Sequence, residues 1–414
     1  MRVVITHTDL RIYWPSRIAA LQQALESRGD ELYIIEIAGA GSHYDFHNSR
    51  PSGPTASDSS PVTSAGVKNW ICLYPTTRME DISPARAARK LVAALNSLMP
   101  DVVMAGSIAF PSGAASVYWA KKNCRPVVMF DDIRSEDVPR NGFVNYIKKL
   151  IYHQVDAVLC PAAEWVEGLR RWDFSPRQLF FGVDVVDNDF WSAPDPQTAP
   201  PEGLQEWPAP FFLAVGRQIP VKNFPFLLEV YDTYRNIAGE RSLALVMIGE
   251  GPERVLIQQI IREKRMRHVY LFPFANPEKL KAFYHHAAAL VMPSKCETWG
   301  LVVNEAMAAG LPVLVSSHCG CAPVLVKEHV NGYTFHPDRK DKLLTALLSF
   351  TNKSSIEKAA MGRASRRMIR PWGLQQFVSG SLQAVDYAFA NKKTCRSMQA
   401  RFVMGQWKGR YRPL

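Results

Sequence analysis

Apolar residues gather in short runs, separated by stretches with helical periodicity. Runs over 3–6, 31–37, 102–104, 127–130 and 157–160 are rich in aliphatic residues and predict strands buried on both faces. Between them, 15–28, 84–98, 112–122 and 143–153 place apolar residues three and four apart and predict amphipathic helices. The alternation resumes with strands over 211–215, 243–248 and 287–293 and helices over 224–234 and 301–309. Strand and helix in turn predict an α/β chain built on doubly wound parallel sheets. Residues 191–210 hold too many prolines for either element and predict a linker. The predicted domains are therefore 1–190 and 211–375, with 376–414 forming a C-terminal helix over 377–390 and a basic tail. Residues 39–66, rich in Ser, Pro, Gly and His, read as a flexible insertion, either a loop over a ligand site or a disordered segment.

A length of 414 residues suits two domains, and 47% apolar content suffices for sizeable cores. No run of about 18 apolar residues is present to span a bilayer. The start, Met1-Arg2-Val3-Val4-Ile5, reads as a first strand rather than a signal peptide. Seven scattered cysteines point to a reducing compartment, hence a cytoplasmic location. Charge changes the picture only at the end. From Gln376 onward there are seven basic residues and one acid, Asp386, so 7 − 1 = +6 of the chain's +11. Phe402, Trp407 and Tyr411 are interleaved with these cations, which fits either peripheral contact with anionic lipid or a solvated tail. No nucleic-acid recognition fold accompanies the charge.

The most informative stretch is 290–312, LVMPSKCETWGLVVNEAMAAGLP. It reads as a buried strand, a polar turn, and a helix closed by Gly310 and Pro312. The free amides of Trp299, Gly300 and Leu301 at the helix start form a natural anion site. Glu297 just before it and Glu305 inside it cannot bind phosphate, but both can accept hydrogen bonds from hydroxyls. That combination suits a sugar, a diphosphate and a ribose. Upstream, 211–223 (FFLAVGRQIPVKN) is a strand, a turn at Gly216, and a loop bearing Arg217 and Lys222. A planar fork beside a point charge makes a diphosphate clamp. Gly249-Glu250-Gly251 lacks the third glycine of a dinucleotide fingerprint.

The E-x7-E spacing and its surroundings resemble the retaining glycosyltransferases of family 4 (glycosyl transferases group 1). Their architecture is GT-B: two Rossmann-like doubly wound domains facing each other across a cleft. The likeness is specific over 211–337 and faint before it, and it implies that the C-terminal helix over 377–390 returns to pack on the first domain. It implies that Glu297 lies by the donor sugar hydroxyls with Thr298 and Gly216 nearby, Glu305 by the nucleotide ribose, and Arg217 and Lys222 by the pyrophosphate. Residues 320–337 look like the sugar-contacting loop, although Val324 stands where the family commonly has an acid. On the first domain, many relatives use a His after the fourth strand. Here Asp131 and Asp132 are the candidates, with His7, Arg134 and Arg140 as candidate acceptor contacts. The loop from His7 to Pro15 lacks the two glycines many relatives hold against the donor phosphate.

The resemblance implies a retaining, metal-independent transferase that moves a sugar from UDP or GDP to a saccharide or lipid-linked acceptor, as in polysaccharide, lipopolysaccharide or glycolipid assembly. The alternatives are a nucleotide-sugar hydrolase or epimerase of the same fold, and a non-catalytic nucleotide-sugar-binding regulator. No cofactor is implied. Asp187-Asn188-Asp189 reads as turn chemistry rather than a metal motif, and Cys319-Gly320-Cys321 lacks the further ligands of a zinc site.

Overall fold

The structure is a computed structural model that describes residues 1–11, 13–39, 67–134, 142–193, 208, 210–395 and 397–409. The chain divides into two compact units, Met1–Val185 with Leu374–Leu414, and Val186–Gly373. The insertion at 40–66, most of the linker (194–207 and 209), and Arg140 lie outside the described residues.

The first unit carries strands β1 (Arg2–His7), β2 (Glu31–Ala38), β3 (Trp70–Tyr74), β4 (Val102–Ala105), β5 (Val127–Phe130), β6 (Ala157–Cys160) and β7 (Leu179–Phe181). They pair in parallel in the order β3-β2-β1-β4-β5-β6-β7. Helices cross between them, and the helix Pro84–Leu98 shows how the chain starts and stops one. At Pro84–Leu98 the Ser83 hydroxyl accepts from the Arg86 amide, Pro occupies the first turn, and Met99 in the left-handed region ends the helix. The core joins β1, β2, β4, β5 and β6 with the helices Trp14–Glu26 and Leu374–Ala390. That last helix lies against β7 because Gly380 has no side chain: a Cβ there would sit 2.1 Å from the Phe181 carbonyl oxygen.

The second unit carries β8 (Phe211–Val215), β9 (Ala244–Ile248), β10 (Val269–Phe272), β11 (Ala289–Met292), β12 (Val313–Ser316) and β13 (Gly332–Phe335). Its order, β10-β9-β8-β11-β12-β13, is again parallel throughout. Chain direction across the sheet reverses between β8 and β11, so the loops after these two strands flank a topological switch point. Ligands of open α/β sheets bind at such points.

The tail, open in the sequence between lipid contact and a solvated segment, is folded against the first unit up to Gly409. Residues Met398–Gln406 form a helix started by the Ser397 hydroxyl, which accepts from the Ala400 amide. Ala400 and Met404 are buried, and the Trp407 indole donates to the Ile108 carbonyl at 2.8 Å. The segment before it is held by a buried ion pair. Lys121 Nζ lies 2.5 Å from Asp156, whose carboxylate also accepts from the backbone amides of Val127 and Lys393. Alternating charge and aromatic residues concealed this packing, because the apolar partners sit hundreds of residues upstream. Arg396 and residues 410–414 lie outside the described residues.

Candidate active site

The second unit's site is assembled from the loops after β8 and β11. Lys222 Nζ meets Glu297 Oε2 at 2.5 Å, both side chains mostly shielded from water. Their backbones are tied as well, since the Lys295 amide donates to the Val221 carbonyl at 2.8 Å. Asn223 locks the junction. It adopts the left-handed conformation (φ 61°) at the start of the helix Phe224–Ala238. Its buried side-chain amide donates to the carbonyls of Pro293 and Pro337, joining the loops after β8, β11 and β13. Asparagine tolerates this backbone and supplies two donors, which explains the residue type. The sequence reading passed over Asn223, although an Asn directly before a Phe-Pro helix start is a visible signal.

Residues 294–300 rest on a second loop. Glu297 bridges to Cys319 in parallel, the Gly320 amide donates to the Glu297 carbonyl, and the Cys321 amide to that of Trp299. His318 Nδ1 lies 3.0 Å from the Lys295 carbonyl. Thr298 sits half-exposed in this bend. Gly300 takes φ 108° where the chain turns into the helix Leu301–Ala309, and a Cβ there would press on Met292 and Cys321. The amides that open this helix point away from its own hydrogen-bonded turns, as at any helix N-terminus. The Trp299 ring itself is buried, donating from Nε1 to Asn304 at 2.9 Å and packing beside Trp372. Its side chain fixes the turn.

Glu305 lies within that helix and is almost wholly buried; its Oε2 accepts from the Tyr284 hydroxyl at 2.6 Å. It is not a solvated surface residue. Arg217 follows Gly216 in the loop after β8, half-buried. Behind it, Gly249 permits a close approach: a Cβ would fall 1.9 Å from the Gly216 carbonyl oxygen. The Gly249-Glu250-Gly251 turn therefore supports the cation-bearing loop, through Gln218 as well, whose side chain donates to the Gly249 carbonyl. Val324 is half-exposed in the short helix Ala322–Leu325. Asp187 caps the helix Asn188–Ser192 by accepting from the amides of Asp189 and Phe190.

The first unit groups its candidates at the carboxyl ends of its strands. Asp131 is 1% exposed, and both its oxygens are engaged: Oδ2 accepts from the Tyr152 hydroxyl at 2.6 Å, Oδ1 from the Ile133 amide. Such a carboxylate holds its own loop. Asp132 is only half-buried, and its carbonyl accepts from the Trp165 indole. Arg134 is half-buried two residues on. His7 is packed against Trp14 and bonded to the Asp9 carbonyl, and burial lowers its pKa. Two residues unseen in the sequence join this group. Arg17 is buried, donates twice to the Val185 carbonyl, and stacks its guanidinium near Trp14. Asp184 is buried near Asp132 and Arg17; burial and the neighbouring Asp132 push its pKa up to about 7. Residues 17 and 184 meet only through the fold.

Comparison with known proteins adds to this geometry. Residues 201–368 match the family described as Glycosyl transferases group 1. Over nearly its whole length the chain superposes on sucrose-phosphate synthase from Thermosynechococcus elongatus, with TM-score 0.69 and 17% identity over 94% of this chain and 99% of that one. The fold is GT-B. A second GT-B structure, Anabaena HepE in complex with UDP-glucose, gives TM-score 0.67 and 12% identity, covering 92% and 99% of the two chains. By sequence, the chain is similar to an uncharacterized glycosyltransferase of Methanocaldococcus jannaschii, 34% identical over 132 residues. That match takes in 32% of this GT-B chain and 33% of the relative, so the chain spans about a third of that relative's length. No described helix is long and apolar enough to cross a membrane.

Proposed function

We propose that the chain is a retaining glycosyltransferase that takes a sugar from a UDP- or GDP-sugar and passes it to a saccharide or lipid-linked acceptor. The observation that carries this reading is the Lys222–Glu297 pair at the switch point of the second sheet, one loop from the start of the helix Leu301–Ala309. Lys222, Arg217 and the amides of Trp299, Gly300 and Leu301 bind the diphosphate. Glu297 holds Lys222 in place and takes hydroxyls of the donor sugar, with Thr298 and Gly216 beside it. Glu305, steadied by Tyr284, accepts from the ribose. That HepE was solved with UDP-glucose supports a uridine donor in a chain of the same fold.

Catalysis on this reading is charge stabilisation. As the bond from the anomeric carbon to the diphosphate oxygen breaks, negative charge grows where the cations and amides already point. The acceptor oxygen attacks that carbon from the same face, and its proton passes to the departing phosphate oxygen. No side-chain nucleophile is required. Two cations and a helix N-terminus supply the positive charge a metal would otherwise bring, so chelation by EDTA should leave the rate unchanged. Asp132, Arg134 and His7, together with Arg17 and Asp184, are the proposed polar groups on the first unit. Asp131 supports their loop.

The test is to incubate the protein with a panel of nucleotide sugars and follow release of free UDP or GDP. One or a few donors should turn over slowly without acceptor and faster with the right one. The anomeric configuration of the product, read by NMR, should match the donor's. Nucleotide affinity with no release from any donor would leave a binder instead.

A further inference from the structure

Exposed apolar side chains of the first unit concentrate where two helices lie side by side. The helix Gly142–Tyr152 buries only Ile151 and Tyr152, although its apolar residues recur at helical spacing. Phe143 is 71% exposed and Tyr146 48%. On the helix Met398–Gln406, Met398 and Phe402 lie one turn apart and are 85% and 69% exposed. The Gln399 amide donates to the Tyr146 hydroxyl at 2.6 Å, which fixes one helix beside the other. Two neighbouring helices thus both turn large apolar groups to water, a pattern that marks an interaction surface.

The two segments themselves carry charge of one sign. Residues 142–155 and 387–409 contain no Asp or Glu, but carry Lys148, Lys149, Lys392, Arg401 and Lys408 among their cations. Carboxylates from elsewhere bond to the first of them: Asp131, buried, accepts from the Tyr152 hydroxyl, and Asp173 is bridged by Lys149 at 2.8 Å and His153 at 2.7 Å. Lys148 lies over the rings of Tyr152 and Trp172. Aromatic and aliphatic side chains set among cations on amphipathic helices match the boundary between anionic headgroups and acyl chains.

We propose that the paired helices Gly142–Tyr152 and Met398–Gln406 form a face that docks on an anionic lipid surface. None of its residues belongs to the second unit, so the inference stands apart from the transfer chemistry. The test uses the full chain and vesicles of phosphatidylcholine with phosphatidylglycerol, compared with phosphatidylcholine alone. The wild type should sediment with the mixed vesicles, less so as salt is added. The double variant Phe143→Ser, Phe402→Ser should partition at least tenfold more weakly, with unchanged melting temperature and UDP affinity. A wild type that stays in the supernatant, or a variant that sediments equally well, would overturn the proposal. So would a dimer in analytical ultracentrifugation that the double variant splits, since the face would then belong to a second copy.

Discussion

Glu297 holds the flexible stem of Lys222 at 2.5 Å, which on the proposed reading preorganises the ammonium for the diphosphate. Replacing Lys222 or Arg217 by alanine should each lower kcat/KM by about a hundredfold, as expected for loss of one preorganised charge contact; unchanged steady-state rates in both would remove them from the donor clamp. Tyr284→Phe should cost about 1–3 kcal/mol in urea unfolding, because it strips a donor from a buried carboxylate. It should also weaken UDP binding in calorimetry if Glu305 holds the ribose, and an unaltered affinity would reduce Tyr284 to packing. At this scale the placement of Lys222 and Glu297 in loops that follow clear apolar strands was legible, but their direct ion pair was not, because a separation of 75 residues hides the contact. The grouping of Arg17 and Asp184 was not: local text gives no sign that residues 17 and 184 share a pocket of low dielectric.

Among elements, buried strands and capped helices were the legible ones. Val127–Phe130 and Leu301–Ala309 fall where apolar runs and glycine or proline stops predict them. Trp70–Tyr74 was missed because it is an edge strand, half-buried after a long polar stretch, and Leu179–Phe181 because three residues make no pattern. The loop after β1 depends on a group that no motif marks. Glu36 on β2 accepts from the Leu10 amide and the Trp70 indole, and burial pushes its pKa from 4.5 up to about 7. Asp184 is raised from 3.8 to about 7 as well. Folded states that hold such protons are favoured below the unfolded pKa, and the advantage fades as pH rises through the folded value. Unfolding free energy should therefore fall between about pH 4 and pH 7, and the fall should flatten in Glu36→Gln. Urea titrations across that range check it; a stability that climbs with pH would contradict it.

For the whole molecule, the two units differ in what closes them. The second is continuous in sequence, whereas the first recovers its C-terminal helices from the far end of the chain. The Lys121–Asp156 pair is the buried polar link in that return, and the Lys393 amide shares its carboxylate. Lys121→Met should destabilise the first unit by about 3–5 kcal/mol, the cost of leaving a buried charge alone; a melting temperature equal to wild type would show the pair to be dispensable. Composition and alternation made the two α/β halves legible, yet they reduced the last helix to a charge count. A crystal structure with UDP decides most directly whether the second unit holds a nucleotide diphosphate at the loops after β8 and β11. The diphosphate should lie within hydrogen-bond reach of Arg217, Lys222 and the amides of Gly300 and Leu301, with a ribose hydroxyl on Glu305. UDP bound away from the loops after β8 and β11, or a diphosphate facing solvent with Lys222 still on Glu297 alone, would contradict it.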